Sequence, residues 1–139
     1  MASLIYNSFL EDVNRGNIDP DTDTFRMLLV TSSYTPNKDT HDRRDDVTNE
    51  VANGNGYTTG GITVTCTVAR DNTTDRVTLT FAGGSWPTST ITARAAVVYK
   101  SRGGAGSADE LVFYNDFGSN VTTAATTLTV AASVITYQN

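Results

Sequence analysis

Residues 62–81 read ITVTCTVARDNTTDRVTLTF, and their pattern decides the fold class. From Ile62 to Val68 every even position is apolar and every odd one is Thr, and from Val77 to Phe81 the alternation returns. A period of two sends successive side chains to opposite faces, so each run predicts a strand with one face in a core and one in water. The polar stretch Arg70–Asp75 between them predicts a turn, and the two runs together an antiparallel hairpin. On this reading Ile62, Val64, Cys66, Val68, Val77, Leu79 and Phe81 all point inward.

Toward the C-terminus, Gly83-Gly84-Ser85-Trp86-Pro87 predicts a loop, and Ile91–Lys100 and Glu110–Phe117 predict two strands paired across a glycine-rich connection; a last strand is expected over about residues 126–136. Toward the N-terminus, Phe25–Val30 is a nearly continuous apolar run, as expected of a central strand, and Val47–Val51 predicts a short edge strand. Between them Ser32–Asp46 carries Pro36, many charges and almost no aliphatic residue, which predicts a solvated loop with one helical turn from Thr40. Ser8–Arg15 predicts one short helix, capped at Asn7 or Ser8 and stopped by Gly16, with Phe9, Leu10 and Val13 on one face. The expected fold is therefore all-β, a single-domain antiparallel β-sandwich or jelly roll over 1–139, with 1–16 a docking arm or helix.

Composition narrows the function classes. The 139 residues carry 10 Lys plus Arg against 15 Asp plus Glu, a net charge of −5. That balance opposes a phosphate backbone or an anionic leaflet, so no nucleic-acid and no membrane partner is expected. The apolar runs are far shorter than the roughly 20 residues of a spanning helix, and the N-terminus has no signal-peptide pattern, which predicts a soluble, unprocessed chain. Threonine, the commonest residue, has a branched Cβ that suits the pleat better than the helix. The single Cys66 allows neither an internal disulfide nor a cysteine zinc site.

No constellation of catalytic type emerges. His41, the only histidine, is followed by Asp42 and then by the cationic pair Arg43 and Arg44, a poor setting for a metal. A solvated histidine in a polar loop is the expectation. Cys66 alternates with core residues, where a thiol is usually inert, so no catalytic residue is expected. Asp19-Pro20-Asp21-Thr22-Asp23 resembles half a calcium loop, but counting from Asp19 the sixth position is Thr24 where Gly is needed and the twelfth is Val30 where Glu is needed. No metal and no cofactor are expected. Tyr34, Tyr57 and Trp86 fall beside Gly or Pro in predicted loops, where aromatics either contact partners or plug the ends of a sandwich.

Larger stretches carry a resemblance. LIYNSFLEDVNRGNIDPDTDTFRMLLVTSSYTPNKDTHDRRDDVTNEV, GYTTGG, SWPTSTITARAAVVYK and ELVFYNDFG together resemble a group of small virion structural proteins of tailed bacteriophages, some of them capsid decoration or cement proteins. The resemblance implies a non-enzymatic particle component made in the host cytoplasm and placed on the capsid exterior, with the major capsid protein as its partner; a homo-oligomer, dimer or trimer, is expected separately, because the marginal helix Ser8–Arg15 and the apolar start Leu4-Ile5-Tyr6 both need covering. Contact candidates on that expectation are Tyr34, His41, Arg43, Arg44, Tyr57 and Trp86. A tail, collar or baseplate component and a glycan-binding module are the alternatives.

Overall fold

A computed structural model describes residues 2–139, and it is an all-β antiparallel sandwich with one α-helix. The strands are β1 (Leu4–Ile5), β2 (Phe25–Val30), β3 (Ile62–Val64), β4 (Cys66–Asp71), β5 (Arg76–Phe81), β6 (Gly84–Ser89), β7 (Thr92–Lys100), β8 (Leu111–Thr122), β9 (Thr126–Val130) and β10 (Ser133–Gln138). One sheet has the order β1-β8-β7-β2-β3, a second β10-β5-β4, and β6 pairs with β9 in a ribbon. Only Ala82 and Gly83 separate β5 from β6, and only Ala131 and Ala132 separate β9 from β10, so the ribbon continues the second sheet past a break. At that break the backbones touch: a Cβ on Gly83 would lie 2.1 Å from the Val130 carbonyl oxygen.

The predicted hairpin is present as β4 and β5, with Cys66 opposite Phe81 and Val68 opposite Leu79. The run before it behaves differently. Alternation along the chain is continuous from Ile62 to Val68, yet β3 pairs with β2 in the first sheet while β4 belongs to the second. Thr65 is where the chain changes sheets. In consequence the expected inward set divides: Val64, Leu79 and Phe81 are buried, Ile62, Cys66 and Val77 are half-buried, and Val68 is 38 % exposed. The single strand expected over 126–136 likewise divides into β9 and β10, and the expected loop at Gly83–Pro87 is strand β6, bulged between Trp86 and Ser89.

Strands β2 and β7 and the start of β8, Leu111–Tyr114, are apolar on both faces because both faces are covered. Phe25, Met27, Leu29, Ala96 and Val98 point into the core between the sheets, against Leu79, Phe81, Trp86, Leu128 and Ile135. Leu28, Val30, Ala95, Val97 and Tyr99 point the other way, into a second cluster with Tyr6, Tyr34, Leu111 and Tyr114. In β8, Val112 and Phe113 both enter the first cluster although they are adjacent, which the bulge opposite Val98 and Tyr99 permits.

The segment between β2 and β3 provides the second cover. Val47–Val51 is not a ladder strand; it meets the end of β2 through the bridge Val30–Glu50, with the Thr31 N–H donating to the Asn49 carbonyl and the Val51 N–H to the Leu29 carbonyl, each at 2.9 Å. The expected helical turn from Thr40 is instead a 3-10 turn at Arg44–Asp46. Gly61 then admits β3: its φ is +75°, and a Cβ there would lie 1.8 Å from the Met27 carbonyl oxygen.

The helix, α1 (Asn7–Asn14), has Tyr6 rather than Asn7 or Ser8 at its cap, and the Asn7 N–H donates to the Lys38 carbonyl. Phe9 is fully buried in the inter-sheet core, Val13 is half-buried, and Leu10, expected on the same face, is 42 % exposed. Residues four apart share a helix face whereas adjacent ones do not, so Phe9 and Val13 dock and Leu10 turns away.

Candidate functional site

The loop expected to be solvated is largely exposed, but a few of its side chains anchor it to the sandwich. Tyr34 is buried at 3 % exposure, and its hydroxyl lies 2.9 Å from the Tyr6 hydroxyl and 2.9 Å from His41 Nδ1. The His41 ring stacks on Tyr34 at 5.7 Å between centroids. The Asn37 N–H also donates to His41 Nδ1 at 3.3 Å, so in the neutral ring that nitrogen is the acceptor and the proton sits on Nε2, as assigned from the network. Burial pushes the Tyr34 phenol up to about 12 and raises Tyr6 further, since neither anion would be solvated.

The two arginines are not free contact groups either. Arg43 Nη1 lies 3.3 Å from Oδ2 of Asp12, a buried acid on α1. Arg44 Nε lies 2.8 Å from Oδ2 of Asp109, which is 1 % exposed, and the Arg44 guanidinium sits 5.2 Å above the Tyr99 ring. A third arginine completes the set: Arg102 holds Glu110, also buried, at 2.5 Å, and its backbone N–H donates to Asp109 Oδ1. Three buried carboxylates thus each meet a partly exposed guanidinium, and the pairs tie α1, the 32–46 loop and the β7–β8 connection to one another. At Asp46 burial works against ionisation, but N–H groups of Asp42 and Arg43 donate to its carboxylate and hold it below the usual range.

Tyr57 and Trp86 lie on the other side of the first sheet, stacked at 6.3 Å between centroids and each 2 % exposed. The Tyr57 hydroxyl donates to Glu50 Oε1 at 2.7 Å and accepts the Leu29 N–H at 3.1 Å. These rings plug the sandwich, one of the two roles open to them, and neither has a face to offer a sugar. Of the six contact candidates, Tyr34, Tyr57 and Trp86 are buried, and His41, Arg43 and Arg44 are partly exposed but held in internal pairs.

In the Asp19–Asp23 turn the carboxylates cap backbone: the Asp19 N–H donates to Asp23 Oδ2 and the Asp21 N–H to Asp19 Oδ1, and Asp23 also pairs with Lys100 at 2.9 Å. The Cys66 thiol is half-buried, and burial pushes it up to about 11, which leaves little thiolate at neutral pH. Among the described residues no group of three His, Cys, Asp or Glu could hold a metal ion, and no helix is long and apolar enough to cross a membrane.

Large apolar side chains remain exposed at Leu10 on α1, at Val121 on β8 and, in greater number, on the second sheet. Val68, Val134 and Tyr137 are 38 %, 57 % and 37 % exposed, and Ile5 on the neighbouring β1 is 37 % exposed. A groove of about 470 Å³ runs between β1 and β10, lined by Leu4, Ile5, Phe113, Val134 and Ile135 with Ser3, Asn7, Lys38 and Asn115 among its polar residues. Of these residues the sequence marks only Leu4 and Ile5, as part of the expected docking arm, while VITY reads as one more core strand. Compared with known proteins, the chain matches no family model, no curated protein and no solved structure.

Proposed function

We propose that the chain is a non-enzymatic structural protein of a tailed-phage particle, a decoration protein that binds the outer surface of the capsid lattice and stabilises it. The observation that carries this reading is the division of labour on the surface. Charged and aromatic side chains that could do chemistry are occupied in holding loops to the sandwich, while an uncharged strand edge and apolar side chains are left exposed on the second sheet. Such a surface suits contact with other protein, and many weak contacts on a lattice add through effective concentration. The sequence resemblance supplies the particle; the major capsid protein is the proposed partner.

Imaging of intact particles tests it. Many copies spread over the capsid are expected, and location at one vertex would instead favour the tail, collar or baseplate reading. Capsids lacking the protein should assemble yet lose DNA sooner on heating at low ionic strength, where repulsion within the packaged genome is less screened.

A further inference from the structure

We infer that β10 is the interface of a two-fold homodimer, in which the strand pairs antiparallel with β10 of a second copy about Thr136. Such pairing needs only two copies of the chain and no particle around them.

The backbone sets which groups are free. The Asn139 N–H donates to the Asp75 carbonyl, and β10 pairs with β5 in the register that places Gln138 opposite Arg76. In an antiparallel pair the backbone groups of alternate residues face the same neighbour, so the odd residues of β10 face β5 and Val134, Thr136 and Gln138 face outward. The other side of β5 agrees. The Ala82 N–H donates to the Thr65 carbonyl, which turns the even residues of β5 toward β4 and leaves its odd residues for β10.

Other edges are short or blunted. β1 has two residues, β3 three, β4 ends in Arg70 and Asp71, and β6 contains Pro87 and a bulge. The free side of β9 lies across a groove from Phe117 and Val121 of β8. β10 has six residues, SVITYQ, with no charge and no proline, so it lacks the devices that usually block edge pairing.

The occupant is a second copy because the surface is complementary to itself. Pairing about Thr136 places Val134 opposite Gln138 and Ile135 opposite Tyr137 of the other copy. The exposed Tyr137 of each chain then enters the groove beside Ile135 of the other, between Ile5 and Phe113, with polar groups at the rim for its hydroxyl. A two-fold axis makes both insertions equivalent. Two chains of net charge −5 meet through a strand that places no like charges opposite each other.

Sedimentation equilibrium of the full chain tests the proposal, with a dimer expected. Thr136→Pro, which removes an outward-facing N–H, and Tyr137→Asp should each weaken association at least about tenfold while leaving the circular dichroism of the sandwich unchanged. Val134→Lys, at an exposed position, gives the same readout should the proline variant fail to fold. In a Cys66→Ser background, Thr136→Cys should form an intermolecular disulfide, because a hydrogen-bonded pair across the axis sets Cα atoms about 5.5 Å apart, within bonding range. Val134→Cys should not. A monomer at the highest concentration reached, a dimer insensitive to these substitutions, or linkage through position 134 rather than 136 would overturn it.

Discussion

The two sheets solve burial in opposite ways. In the first, β2, β7 and the start of β8 are apolar on both faces, and the second face is closed by Tyr6, Tyr34 and the loop that arginine–carboxylate pairs hold down. In the second, Thr alternates with apolar residues, one face is open to solvent, and the inner face runs from fully buried Phe81 to exposed Val68 and Tyr137. A sheet with two covers is committed to the fold; a sheet with one, incomplete cover keeps surface for association.

The largest expected effect lies at the buried end of the second sheet. Phe81 makes edge-on contacts with Phe25 at 5.2 Å and Phe113 at 5.3 Å, so Phe81→Ala should cost about 3–5 kcal/mol in denaturant unfolding. Val68→Ala, on the adjacent strand, should cost less than about 1 kcal/mol, and equal losses would erase the gradient along this sheet.

Next in size are the pairs that hold the loop over the first sheet. Arg44→Glu leaves Asp109 buried beside a like charge and should cost about 2–3 kcal/mol, reduced from a fully buried pair because the arginine is partly solvated. Arg15→Glu, whose pair with Glu11 is exposed on both sides, should cost no more than about 1 kcal/mol. Equal effects would mean that the loop is held by packing alone. Tyr34→Phe should cost about 1–2 kcal/mol, since the Tyr6 hydroxyl and the His41 ring nitrogen lose their shared partner.

A smaller effect is expected in acid. The hydrogen bond from Arg94 holds the Asp116 carboxyl below the usual carboxylate range despite burial. Its folded pKa lies below the unfolded value near 4, so its contribution is present above that pH and is lost as pH falls toward the folded value. In a thermal-unfolding series against pH, Arg94→Gln should flatten the decline below about pH 4. An unchanged slope would remove this pair from the acid response. Thr65→Ala, at the crossing between sheets, should move stability by less than about 0.5 kcal/mol, because the side chain is exposed and its carbonyl does the bonding.

Local pattern in the chain was enough for the all-β class, the β4–β5 hairpin, the central place of Phe25–Val30 and the short helix, because a period of two and a Gly-stopped amphipathic segment are signals that neighbouring residues carry. The same local pattern reads residues 32–46 as a solvated loop and gives no sign that Tyr34, Arg43 and Arg44 anchor it over the first sheet. Packing, by contrast, settled that Thr65 divides one alternating run between two sheets, that Arg43, Arg44 and Arg102 face Asp12, Asp109 and Glu110, and that Tyr57 and Trp86 are plugs. Those outcomes depend on partners 31 and 65 residues away for Arg43 and Arg44, and on which edge is left over once the sheets have packed, neither of which a local pattern encodes.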